Sequence, residues 1–321
     1  MNRILIIPFI VFLIHCKPPN YNNPNDPNSS KFLESQVLGC FTTGSVLCKP
    51  FHVKGIVSGL TQGNTLKIQY EYGGPSDSIV ANGQFDIITR GGLFPKVFIA
   101  KQPDSLHCII TSSGLQQGED VVGMEITCPI FKSFVQNQLV GYSRCGFGQE
   151  WNTFSGGTYV GDCTATGTAA NQFGLSLNLN FCNITPTNGC TSGLAGGILA
   201  SPPWIGAADS DIYNSCNQYN NTNKWNLNKW RVPSKNELKQ IVICSNGPTI
   251  PLDDFVACAA GNSAPVLNTQ VFPNFTGSNI LWSSNSYPID SIQAHALELS
   301  NGRVYVFDQD GSNQVLCVTD L

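Results

Sequence analysis

Apolar residues recur at every second position through the first half of the chain and take helical spacing only later. Leu66, Ile68 and Tyr70 alternate, as do Phe85 with Ile87 and Val97 with Ile99. A period of two predicts strands with one buried face. Gly73-Gly74-Pro75 and Asn82-Gly83 fall between these runs as turns. Short strands so spaced predict an all-β sandwich over residues 36–132. In residues 133–321 the period changes. Ile212, Cys216 and Tyr219 stand at i, i+4 and i+7, which predicts a helix over 209–219 with Cys216 turned inward. Ser234 with Glu237 three residues on forms a capping box, and Leu238, Ile241 and Val242 make the apolar stripe of a second helix. Asn301-Gly302 predicts a two-residue hairpin turn. That register sets Leu299 opposite Val304, Leu297 opposite Val306, Glu298 opposite Tyr305 and His295 opposite Asp308. A final strand over 314–318 carries Cys317.

The N-terminus has a different pattern. Met1-Asn2-Arg3 precedes an unbroken apolar run over 4–14, the layout of an export signal and too short for a mature membrane span. Cys16 follows directly and resembles the cysteine of a bacterial lipobox, although His15 stands where a small residue is usual. The resemblance implies a signal peptide over 1–15 and a diacylated Cys16 as the new N-terminus. Residues 16–35 then serve as anchor and Pro/Asn-rich tether. The chain is expected in the cell envelope, lipid-anchored at the outer membrane, with sequence alone leaving leaflet and surface exposure open.

Composition narrows the function classes. Thirteen cysteines less Cys16 leave twelve, an even number suited to six disulfides in an oxidising compartment. No CxxC, CxxH or HExxH spacing occurs and the four histidines are scattered, so neither a metal nor another cofactor is expected. Charged residues are 12% of the chain against 41% hydrophobic, which is a globular balance. The net charge is −4, or −5 once Arg3 leaves, and no basic patch is available for nucleic acid.

Two resemblances add to this reading. The order Val53-x-Gly55, Gly59-Leu60, Leu66-x-Ile68-Gln69, Ala81-Asn82-Gly83-x-Phe85, Gln102-Pro103, Cys108, Val121, Cys128 resembles a repeated β-sandwich module of bacterial surfaces and implies a pair between Cys108 and Cys128. Farther on, Trp230-Arg231-Val232-Pro233-Ser234-Lys235-Asn236-Glu237-Leu238, Leu281-Trp282-Ser283-Ser284, Ser300-Asn301-Gly302-Arg303-Val304 and Leu316-Cys317-Val318 occur in the order of the Lcl C-terminal domain family. Ser143-Arg144-Cys145 with Gly148-Gln149, Trp151 and Cys163 looks like that family's opening segment. Val232 replaces a usual Leu, and the Gly-rich stretch 189–197 looks like an insertion. The chain as a whole resembles spirochaetal-type surface lipoproteins. The resemblance implies an α+β fold similar to C-type lectins and formylglycine-generating enzymes, with two helices flanking a small antiparallel sheet. It also implies a bridge from Cys216 to Cys317. Nearest-neighbour pairs would be Cys40 with Cys48, Cys145 with Cys163, Cys182 with Cys190, and Cys244 with Cys258, although sequence alone leaves connectivity open.

The chemistry points away from catalysis. His295 opposite Asp308 invites a triad, yet no GxSxG elbow accompanies it, and an ordinary cross-strand hydrogen bond is expected. Gln102-Pro103-Asp104 matches a lectin tripeptide by chance. Asp253-Asp254 and Asp308-Gln309-Asp310-Gly311-Ser312-Asn313 are oxygen-rich but lack a full calcium loop and read as turns. Trp230 and Trp282 lie within family motifs and are expected in the core, whereas Trp204 and Trp225 are the candidate ligand-contacting aromatics. Arg231 is expected to organise the start of the second helix. The leading reading is a non-enzymatic lipoprotein whose lectin-like domain binds a glycan, matrix or protein ligand. The alternative is a structural or envelope-assembly lipoprotein that meets another bacterial protein.

Overall fold

The computed structural model describes residues 50–70, 76–90, 97–117, 120–153, 161, 163, 178–181, 210–246, 253–273, 275–290 and 292–321. The signal, Cys16 and the tether lie outside these residues, as do Cys40, Cys48, Cys182, Cys190, Trp204 and the 73–75 turn.

A long strand organises the molecule. β7 (Asp120–Val135) pairs antiparallel with β6 (Leu106–Gln117) along one edge. Along its other edge, β1 (Pro50–Ser58) runs parallel to residues 121–127, and β8 (Gln138–Gly146) takes over at Ile130. β4 (Gly83–Arg90) extends the sheet beyond β1, and β14 (Leu316–Asp320) extends it beyond β8. A second sheet, β3 (Asp77–Ile79), β2 (Leu66–Tyr70) and β5 (Val97–Lys101), packs on the N-terminal part. Val53, Val57, Leu66, Ile68, Leu106 and Ile126 fill the space between the sheets, where the alternating pattern puts them.

β14 carries the pattern into the C-terminal half. Leu316 and Val318 point into one core with Leu238, Ile241 and Leu297. Val315 and Cys317 point into another with Ile212, Cys216 and Trp282. The sheet thus has an apolar layer on each side, and β14 needs no polar face.

The α+β expectation is overturned. Among the described residues fourteen strands stand against two α-helices, α1 (Asp211–Asn221) and α2 (Lys235–Lys239), and the chain is mostly β with several sheets. α2 has only five residues. The stripe that predicted a longer helix leaves it early, because Val242 pairs as an isolated bridge with Leu267 and Ile243 donates to the Val266 carbonyl. Nor do the helices flank one small sheet. β8 and β14 belong to the six-stranded sheet, while β10 (Ile280–Ser286), β11 (Gln293–Glu298) and β12 (Val304–Asp308) form their own.

The hairpin register also differs. Leu297 pairs with Val304 and His295 with Val306, two residues from the expected partners. Leu299 is drawn out of the ladder: its carbonyl accepts from Val266 and its amide donates to Asn279, and the side chain is fully buried. Glu298 and Arg303 close the loop instead, through backbone and ion pair. A shift of two keeps every side chain on its expected face.

Four disulfides are closed among the described residues: Cys108–Cys128, Cys145–Cys163, Cys216–Cys317 and Cys244–Cys258. Cys216–Cys317 ties α1 to β14 across 101 residues, and cross-links over long loops stabilise most, typically by about 2–4 kcal/mol.

Candidate functional site

α1 is positioned by its caps and its inner face. The Ser210 hydroxyl accepts from the Tyr213 amide and donates to the Phe181 carbonyl, while Ile212, Cys216 and Tyr219 are buried as their spacing predicts. Beyond Thr222 the chain folds into a short 3-10 turn over Lys224–Asn226. Asn223, Trp225 and Asn226 there have φ of 48°, 56° and 61°. Asn tolerates the left-handed region, but a Trp there is strained and is held by its surroundings. Asn220 supplies part of that hold, donating to the Trp230 carbonyl and accepting from the Trp230 amide at 2.6 Å.

An aromatic cluster follows from this turn. The Tyr219 ring lies edge-on to Trp230, with centroids 5.4 Å apart, and packs on Phe147 at 5.8 Å. Trp225 stacks in T geometry on Trp230 and on Tyr219 at 5.5 and 6.2 Å. Phe147 is fixed by the turn after β8: its amide donates to Val315, and the Gln149 side chain accepts from Gly146. Cys145–Cys163 clamps the base of this turn.

Between the turn and α1 opens a cleft of about 370 Å³ lined by Phe147, Gln149, Glu150, Gln218, Tyr219, Thr222 and Lys224. The Lys224 ammonium sits 4.2 Å from the Tyr219 centroid and 5.1 Å from that of Trp225, within the reach of cation–π attraction. Burial lowers its pKa, with Glu150 acting in the opposite sense. It closes no ion pair with any described residue. At the floor, burial pushes the Tyr219 phenol well above its ordinary range. Its hydroxyl is left without a well-formed hydrogen bond, because the neighbouring Ser143 hydroxyl donates to the Cys145 carbonyl. Trp225 is half-buried and reaches this arrangement through its contact with Lys224. Trp204 lies outside the described residues. Trp230 and Trp282 are buried, as expected of core positions.

The other sequence candidates have structural surroundings. His295 does not meet Asp308, whose partner is Gln293, with 3.2 Å from its amide to the carboxylate. The His295 ring is buried against Tyr287 and Phe255, its Nδ1 unpartnered. Its pKa falls to about 4 because burial, then Lys235 and Lys239, disfavour the cation against the pull of Asp254. Asp254 itself is held low by Lys235 and Lys239, which outweigh its burial. Arg231 grips both oxygens of Glu237 at 2.6 and 2.7 Å and reaches Asp320 at 3.2 Å, which ties the start of α2 to β14. The Gln102 amide donates to the Cys108 carbonyl and accepts from the Cys108 amide, so the lectin-like tripeptide serves a local loop. Gly311 donates to Asp308 in a turn, and among the described residues no cluster of His, Cys, Asp or Glu is placed to hold a metal.

Lys224 was not among the sequence candidates. The available signal was an Asn-rich run, Asn220-Asn221-Thr222-Asn223-Lys224-Trp225-Asn226, in which residues tolerant of left-handed backbone surround a cation next to an aromatic.

Residues 177–319 match a family model described as the Lcl C-terminal domain. No curated protein and no solved structure matches the chain.

Proposed function

We propose, from the match of residues 177–319 to the Lcl C-terminal domain model, a lipid-anchored, non-enzymatic envelope protein whose cleft beside α1 binds an extracellular ligand. Glycan is the favoured class, with matrix or host protein next. One observation carries the reading. Aromatic rings, two amides, a hydroxyl and one charge of each sign converge on a concave surface that disulfides hold in place. Ring faces and orienting polar groups are what a binding site for a small polar ligand requires. Disulfides also suit an oxidising, extracellular setting, in keeping with an exported chain anchored through Cys16.

A glycan and matrix array probed with the purified protein tests this reading. Saturable binding that Trp225→Ala abolishes supports it, and uniform silence removes it. Fatty-acid labelling that leaves Cys16 unmarked would remove the anchor. A protein-partner reading also has an observation in its favour. Phe255, Val256 and Tyr305 are 44%, 43% and 38% exposed, and the Phe255 ring lies 5.7 Å from that of Tyr305. Apolar exposure of this kind marks contact surfaces. Cross-linking on intact cells distinguishes the two: a bacterial partner on this patch favours assembly over adhesion.

A further inference from the structure

We propose that the cleft beside α1 is a cation-recognition site, filled in the free protein by the chain's own Lys224, and that its ligand carries an alkylammonium or trimethylammonium group. This rests on the ligand-binding reading above and specifies the chemistry of that site. The aromatic ring face is the negative end of its quadrupole, and a cation within about 6 Å of the centroid is attracted to it. The Lys224 ammonium satisfies this for two rings at once, at 4.2 and 5.1 Å. It occupies the place a ligand cation would take.

Its hold there is weak in three respects. Burial works against its charge. No described carboxylate pairs with it, and Glu150 acts on it only from a distance. Its stem has four rotatable carbons that can carry the ammonium out to water. The rings are less free to move. Trp225 is fixed on Trp230 at 5.5 Å by a left-handed turn, and Tyr219 is buried one turn beyond the Cys216–Cys317 bridge. A soft occupant in a rigid cage is exchangeable.

Charge selects the occupant. An anion would have to draw Lys224 off both rings and would face Glu150 in the same cleft. A cation that replaces Lys224 keeps both the ring attraction and the pull of Glu150. The open volume of about 370 Å³ that Lys224 lines admits the remainder of a hexosamine or choline-type ligand, with the Gln218 amide lining it to meet a hydroxyl or phosphate oxygen. Ammonium is the chemistry these two ligands share.

The test titrates the whole protein, by calorimetry, with a glucosamine tetramer and separately with phosphocholine. The N-acetylated tetramer serves as the uncharged control. Saturable binding of either amine, with the N-acetyl form at least about tenfold weaker, is the expected result. A preference between the two amines assigns the ammonium to a sugar or to a lipid-type headgroup. Lys224→Gln empties the cage and should tighten binding about fivefold, whereas Glu150→Gln and Trp225→Ala should weaken it about tenfold. Urea unfolding of each variant confirms that it is folded. If the N-acetyl tetramer binds as well as the amine, or Lys224→Gln leaves affinity unchanged, the cage assignment is wrong while the ligand-binding reading stands. If neither amine binds the parent or a folded Lys224→Gln variant, the cage assignment is overturned, and a silent glycan array then removes the wider reading as well.

Discussion

Arg144 is a cation taken fully out of water and Lys224 one taken partly out of it, and the fold treats them in opposite ways. Arg144, 1% exposed, donates to four carbonyls: Val271 through Nε, Gly59 and Cys128 through Nη1, and Gln270 through Nη2, all within 2.5–2.7 Å. Its remaining face lies 4.3 Å from the Trp151 ring. These acceptors come from both halves of the chain, so one guanidinium fastens the end of β1 and the middle of β7 to the 270–271 segment. Burial lowers its pKa to about 9, which still leaves it charged at neutral pH. The fit reaches the backbone: Gly59 has φ +80°, and a Cβ there would lie 2.5 Å from Trp151. Lys224 has rings in place of carbonyls and no described ion-pair partner. A buried cation with four of its five N–H groups on carbonyls holds a structure together. One that is only partly compensated marks a place where something else can bind.

The contrast sets an order of expected effects. Arg144→Leu leaves four carbonyls without donors and should cost about 4 kcal/mol in urea unfolding. Arg144→Lys should recover little, since one ammonium cannot span acceptors arranged for a planar fork. Full stability in either variant would show that the two halves are fastened elsewhere. Removing the α1–β14 bridge by Cys216→Ala with Cys317→Ala should cost about 3 kcal/mol and loosen the cleft, read as faster amide exchange around Tyr219.

A third buried base gives a smaller, pH-limited effect. The folded pKa of His295 is about 4, below its ordinary 6.5, so as pH falls the unfolded chain takes up the proton first. Stability from this group is complete above pH 6.5 and is lost progressively toward pH 4, about 2 kcal/mol of it by pH 5. His295→Gln should flatten that limb of the pH–stability curve. An unchanged slope would assign the acid sensitivity to other groups. Lys224→Gln should have the least effect on unfolding, under about 1 kcal/mol, because its rings keep one another and only a cation–π contact is lost.

Features set by neighbours in sequence were legible. The Ser234–Glu237 box forms with both of its hydrogen bonds, because its partners are three residues apart. The inner face of α1 follows from spacing alone, and Cys216 on it meets Cys317 as the family resemblance implied. What the residues did not reveal depends on distant chain. The hairpin slipped by two because Leu299 is claimed by Val266 and Asn279. The α+β expectation fails because strands far outnumber helices among the described residues, and β14 joins a sheet that includes β1 instead of the C-terminal strands. Arg144 was visible only as part of a motif, since three of its acceptors lie 85 to 127 residues away. At the candidate site, Trp225 stood out as an aromatic in a polar loop. Lys224 did not, because its importance lies in two ring faces that only the folded turn brings beneath it.

The Nζ titration of Lys224 by nuclear magnetic resonance, with and without a bound amine, addresses the exchangeable cation directly. The lysine should titrate below the ordinary range in the free protein and return to it when a glucosamine tetramer or phosphocholine takes its place. An ordinary value in the free protein, unmoved by either ligand, would contradict it.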